Sequence, residues 1–197
     1  PLYQRDGNPY LDPQGNDWHD NYLRFATLSW VAAHAFDPQW SVDVVHTHDW
    51  HTGLTAFWLQ QLPQPRPVLL HTIHNLAFKG ALSASQCIEL GIPSAIKSFM
   101  QAAVEYADKI GTVSPQYAKE IQEPHTEDPL DLADILALRQ QDVVGILNGI
   151  DHQVWNPAAD HHIAYTYDSK RLHDKAKNKA NLQTMLGLSI TPRAMLF

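Results

Sequence analysis

The chain has 197 residues, 44% of them hydrophobic, which is enough for one folded domain with a sizeable core. Its formal net charge is -7 and it holds no run of Lys or Arg, which argues against a nucleic-acid or anionic-membrane partner, because both need clustered cations. The single cysteine, Cys87, rules out an intrachain disulfide, and no apolar run approaches the roughly 18 residues that cross a bilayer, so a soluble protein in a reducing, cytoplasmic setting is expected.

Residues 1–17, PLYQRDGNPYLDPQGND, are rich in Gly, Pro, Asn and Asp and carry no sustained apolar period, so they read as a loop. Such an opening, without Met, suits a piece of a longer chain. Asp20 and Asn21 are N-cap residue types, and Leu23, Phe25, Ala26, Leu28, Trp30 and Val31 predict a largely buried helix to about Ala35, broken by Pro38. Short β-rich runs then alternate with helical stretches: a strand from Val42 to His46, a helix from Trp50 to Leu62, a strand from Val68 to Ile73, and a helical segment ending near Ala107.

The rhythm continues with a strand from Lys109 to Val113, a short helix with Pro115 at its first position, a helix from Leu130 to Arg139 and a strand from Val143 to Leu147. A last helix from Lys170 to Leu186 places Leu172, Ala176, Ala180, Leu182 and Met185 on one side, with Gly187 as its stop, and ITPRAMLF begins a further strand. Strands separated by helices imply βαβ units, hence an α/β fold: a Rossmann-like parallel sheet with helices on both faces. The six tryptophans are scattered, which suits core and rim packing, with sugar stacking for one or two.

Ligands of such sheets bind beyond the carboxyl ends of the strands, and here those ends are polar. VDVVH runs into Thr47, His48, Asp49 and His51, VLLHTI into His74 and Asn75, KIGTV into Ser114, and VVGIL into Asn148 and Gly149. The string HTHDWH admits three readings: a metal site, histidines bonded to backbone, or a sugar or nucleotide pocket in which Asp49 and its neighbours hold hydroxyls. The metal reading is disfavoured, because no second His/Cys cluster completes a ligand set. His74 leaves the sheet where a neutral imidazole can donate or accept one ligand hydrogen bond, whereas His71 lies inside an apolar run and reads as a satisfied core histidine. The Asn148-Gly149 pair also has a plain turn reading, since Asn-Gly favours positive φ.

Taken in order, these strings resemble consecutive motifs of bacterial glycogen and plant starch synthases. LYQRDGNPY with HDNYLRF, VDVVHTHDWHTGL, TIHNLAFKG, YADKIGTVSPQYAKEI, GILNGIDHQVWNP and DKAKNKANLQTMLGL are each similar to a family segment and cover nearly the whole chain. The resemblance implies a GT-B glycosyltransferase that retains configuration, with ADP-glucose as donor, the non-reducing end of an α-1,4-glucan such as glycogen as acceptor, and neither metal nor cofactor. By motif position it implies His74 as catalytic, Asp49, His51, Asn75 and Asn148 as substrate-binding, and Asp20 and Asn21 as positioning groups at the substrate. It also implies that residues 1–197 are an incomplete N-terminal, acceptor-side domain, with a KTGGL-type loop and a C-terminal nucleotide-binding domain lying elsewhere, so that the chain alone is inactive. The segment from Gly80 to Ser98 is shorter than in the family, Gln101 and Ala103 replace its usual Lys and Gly, and EPHTEDPLDLADI replaces a glycine-rich turn. A non-catalytic glucan-binding module and a GT-B enzyme using a UDP-sugar remain the alternatives; the sequence leaves the oligomeric state open.

Overall fold

The computed structural model describes residues 2–35, 42–124, 128 and 130–196. Helix α1 (Asn21–His34) forms over the predicted span. Asp20 sits at its N-cap, yet its carboxylate takes both Arg5 guanidinium nitrogens at 2.8 and 2.6 Å instead of a backbone N–H. The break predicted at Pro38 falls outside the described residues, as does Trp40.

Four strands follow: β1 (Val44–His48), β2 (Val68–Ile73), β3 (Lys109–Thr112) and β4 (Val143–Gly145). They form one parallel sheet in the order β1-β2-β3-β4. Strand β2 coincides with the apolar run VLLHTI. Strand β1 lies two residues later than predicted, because pairing with β2 sets its register at Val44↔Val68 and His48↔Thr72. Residues alternate across the sheet. Val45, Leu69, Ile73 and Ile110 point into an apolar cluster with Ala56 and Leu59 of α2 (Leu54–Gln60), Met100 and Val104 of α4 (Phe99–Tyr106), and Leu136 of α6 (Ala133–Leu138). Val44, Val68 and Val144 alternate to the other face and are about half exposed, at 55%, 49% and 48%. A second cluster, with Phe25, Leu54, Ile96 and Phe99, joins α1 to α2 and α4.

The helical segment predicted to end near Ala107 is two helices, α3 (Ala84–Leu90) and α4. Gly91 in the left-handed region and Pro93 end the first, and Ser98 caps the second by accepting the Gln101 N–H. Ser114 caps α5 (Pro115–Glu120) in the same way, with Pro115 at the first position as predicted. At the amino edge of the sheet, Asp108 accepts two Arg66 hydrogen bonds at 2.7 and 2.8 Å and the Leu69 N–H at 2.7 Å. That clamp ties the starts of β2 and β3, and the Arg66 guanidinium holds the Asp108 carboxyl below the usual carboxylate range.

The chain divides into two compact units, residues 1–148 and 149–197. In the second unit, α7 (Lys175–Met185) is stopped by Gly187 at φ 66. The predicted apolar side is not buried: Leu172, Leu182 and Met185 are exposed, and Gln183 is the buried residue of this unit among those described. The strand predicted from Ile190 does not form among the described residues; residues 190–196 run as turn and coil. No helix among the described residues is long and apolar enough to cross a membrane.

Candidate functional site

Where β1 ends, the backbone turns sharply at Asp49, with φ 53 and ψ -177. Few residues with a β-carbon adopt such a conformation, and those that do concentrate at functional sites. Asp49 is held there by its own N–H, which donates to the Thr72 carbonyl at 3.0 Å, and by the 3₁₀ turn Trp50–Thr52 that follows. Its Oδ1 accepts the backbone N–H groups of His74 at 2.8 Å and Asn75 at 3.3 Å. The carboxylate therefore ties the loop after β1 to the loop after β2. One carboxylate oxygen of Asp49 is thus taken up by backbone, and Oδ2 has no protein partner among the described residues.

The alternation of the strands sets a row of imidazoles along this edge. His46 Nε2 lies 2.8 Å from Thr72 Oγ1, the His46 and His48 rings are 4.2 Å apart, and His48 Nδ1 lies 3.0 Å from His74 Nε2. Burial, followed by the neighbouring His46 and His74, pushes the His48 pKa below the ordinary histidine value. On the opposite face His71 is fully buried, and burial lowers its pKa to about 3. It is half-satisfied rather than satisfied: Nδ1 meets Thr47 Oγ1 at 2.9 Å, and the buried Nε2 has no partner. Among the described residues no group of three or more His, Cys, Asp or Glu side chains is placed to hold a metal.

His51 leaves the same turn in another direction. Its ring packs between Trp50 at 4.2 Å, Tyr10 at 4.9 Å and Phe25 at 4.9 Å, and burial depresses its pKa. It lines a cleft of about 730 Å³ with Tyr10, Trp18, Asn21, Tyr22, Trp50, Phe78 and Lys79. The wall is brought close by Gly80, at φ 61, where a β-carbon would sit 2.3 Å from the Trp50 ring. Asn21 fixes the opposite wall, donating to the Tyr10 carbonyl at 2.9 Å and accepting from Arg24 at 2.8 Å. Asp20 acts one step behind, through Arg5, whose guanidinium lies 4.8 Å over the Trp18 ring.

Asp49, His74 and Asn75 are thus brought into one hydrogen-bonded unit, Asn75 Oδ1 accepting the Ala77 N–H at 2.9 Å, while His51 and Asn21 belong to the adjoining cleft. Asn148 stands apart: it follows β4, two strands and so about 10 Å across the sheet from β2. It is exposed, and neither it nor Gly149 has the positive φ expected of an Asn-Gly turn. The sequence reading missed Tyr10, Phe78 and Lys79. Their signal is weak, since Tyr10 stands in a stretch without apolar period and Phe78 follows a strand end. Aromatic walls with scattered polar atoms suit a sugar ring, whose C–H faces stack while its hydroxyls are bonded.

The catalytic domain model of the starch synthases matches residues 1–137. A glycogen synthase from Albidiferax ferrireducens is 42% identical over 213 aligned residues, covering 100% of this chain and 43% of that protein. One from Paramagnetospirillum magneticum is 44% identical, covering 99% and 42%. The chain therefore spans less than half the length of these curated relatives. Among solved structures, the catalytic domain of starch synthase IV from Arabidopsis thaliana bound to ADP and acarbose superposes with a TM-score of 0.65 at 28% identity, over 89% of this chain and 39% of that one.

Proposed function

Because the chain belongs to the starch synthase catalytic domain family, we propose that it forms acceptor-side machinery of a GT-B hexosyltransferase, acting in the cytoplasm, that moves glucose from ADP-glucose to the non-reducing end of an α-1,4-glucan with retention. The observation that carries this reading is the joined turn at the ends of β1 and β2. There Asp49 fixes the backbone of His74 and Asn75, and the exposed His74 imidazole stands at the crevice edge. His74 is the catalytic residue in this reading: it bonds a hydroxyl of the transferred glucose and orients the reacting atoms, and such positioning lowers a barrier because the alignment entropy is lost before the chemical step. Asp49 Oδ2 and Asn75 take neighbouring hydroxyls. His51 and Asn21 shape the cleft beside them, Asp20 supports it, and Asn148 meets the ligand from the β4 side.

The departing diphosphate needs cationic or oriented N–H partners. At this edge the side chains are imidazoles and a carboxylate, and Lys79 in the cleft is paired with Asp128. In this reading the cations belong to the nucleotide-binding domain that the family resemblance implies, and the 197-residue chain is expected to bind glucan without transferring glucose. Incorporation of labelled glucose from ADP-glucose into glycogen by the product of the complete reading frame tests the reading. His74→Ala should reduce it by at least 100-fold, on the order of what a lost positioning group costs, and unchanged incorporation would sink the assignment. The aromatic cleft favours a second reading, a glucan-binding module without catalysis. In that case the chain co-sediments with glycogen while the complete product incorporates no label.

A further inference from the structure

The contact between His48 Nδ1 and His74 Nε2, at 3.0 Å, holds a single hydrogen, since two N–H groups facing each other would repel and two lone pairs would not bond. We propose that His48 is a positioning residue that accepts the Nε2–H of His74, fixing its ring in one tautomer and presenting its Nδ1 lone pair to a hydroxyl of the bound sugar. The proposal deepens the reading of His74 given above and rests on it for the identity of the ligand.

The direction of the bond follows from what surrounds the pair. The Nε2–H form is the more stable neutral tautomer of a free histidine, and donation from His74 to His48 lets both rings keep it; the reverse forces both into the rarer form. His48 must be neutral to accept at Nδ1, because a protonated imidazole offers only donors. The groups facing it are His46 on β1, His74 after β2, His71 across the sheet and Asp49 beside it, and burial together with the neighbouring imidazoles favours the neutral form. The His48 backbone is in turn anchored: its N–H donates to Thr52 Oγ1 at 2.9 Å, and that hydroxyl donates back to the His48 carbonyl at 2.8 Å. A ring on so fixed a backbone can hold a second ring in place, as histidine partners do elsewhere by selecting which nitrogen carries the proton.

Histidine-selective ¹⁵N labelling and long-range ¹H–¹⁵N spectra of the 197-residue chain test this without substrate. At about pH 8, above the ordinary histidine value of roughly 6.5, the His74 resonances, assigned by their loss in His74→Ala, should show Nε2 in the N–H range and Nδ1 in the lone-pair range. In His48→Ala both should move toward the averaged position of an exchanging tautomer mixture, and His48→Asn, whose Oδ1 takes the place of Nδ1, should keep the fixed form. A His74 protonated at Nδ1 in the unmutated chain overturns the proposal. So does a His48→Ala chain that melts earlier with the His74 tautomer unchanged, the signature of a merely structural side chain. Failure of the chain to bind glucan would sink the proposed function and leave the tautomer measurement standing.

Discussion

Asp49 carries two opposing demands on one residue, and they can be separated by substitution. Its φ of 53 with ψ -177 costs a residue with a β-carbon roughly 1–3 kcal/mol, while its carboxylate holds the His74 and Asn75 N–H groups. Asp49→Ala keeps the strain and loses the acceptor; Asp49→Gly loses the acceptor and relieves the strain as well. Urea denaturation should therefore find Asp49→Gly more stable than Asp49→Ala by about 1 kcal/mol or more, with glucan binding weakened in both. Equal stabilities would show that the turn is unstrained. His71 makes a pH prediction of definite sign. Its folded-state pKa of about 3 lies below the unfolded value near 6.5, so the unfolded chain binds the extra proton. Its effect on stability is nil above about pH 6.5 and destabilising below, at up to roughly 1.4 kcal/mol per pH unit as pH falls toward 3. In His71→Gln that dependence should flatten by about one proton between pH 6 and 4, measured from denaturation midpoints. At this scale the sequence disclosed residue types better than bonds. Asp49 and His74 stand out as polar groups at strand ends, but a carboxylate whose partners are backbone N–H groups looks the same in sequence as one that awaits a ligand. Tyr10, in a loop without period, gave no sign that it would wall a cleft.

The elements were legible where a single physical cause fixes them. VLLHTI marks β2 because five apolar or β-branched residues leave no other place for it than a buried parallel strand, and Ser114-Pro115 marks the start of α5 because a capping hydroxyl precedes a residue that needs no N–H partner. β1 was displaced by two residues because its limits come from pairing with β2, a partner more than twenty residues away. The long helix predicted up to Ala107 broke because its apolar content reflects two helices packed in one core, with Gly91 and Pro93 between them. Gly53 gives the test at this scale. It joins the 3₁₀ turn after Asp49 to α2, and a β-carbon there would sit 2.2 Å from the Phe99 carbonyl oxygen of α4. Since backbone has to move to admit it, Gly53→Ala should lower stability by about 1–3 kcal/mol, as overpacking does. The shift should also spread to the turn carrying Trp50 and His51, seen as altered aromatic near-ultraviolet dichroism. A neutral Gly53→Ala would mean that α2 and α4 approach less closely than this.

At the scale of the whole molecule, the two units differ in what holds them together. Both apolar clusters draw their buried residues from the stretch between Phe25 and Leu136, and every residue named for the cleft lies in the first unit. The second unit exposes Ile150, Val154, Trp155, Leu172 and Met185 and buries only Gln183 among its described residues. Buried apolar area is the main source of folding free energy, so the stability of the first unit should be nearly indifferent to residues 149–197. A chain ending at Asn148 should unfold cooperatively with a midpoint within about 4 °C of the 197-residue chain, roughly the shift that 1 kcal/mol produces in a domain of this size. It should also retain glycogen co-sedimentation, because Tyr10, Trp50, His51 and His74 all remain. Residues 149–197 alone should show helical dichroism from α7 without a cooperative transition, since an isolated helix of this length is marginal in water. A shortened chain that keeps helical and strand dichroism but loses its near-ultraviolet aromatic signal would refute this, for it would mean that residues 149–197 are needed to fix the packing around the site.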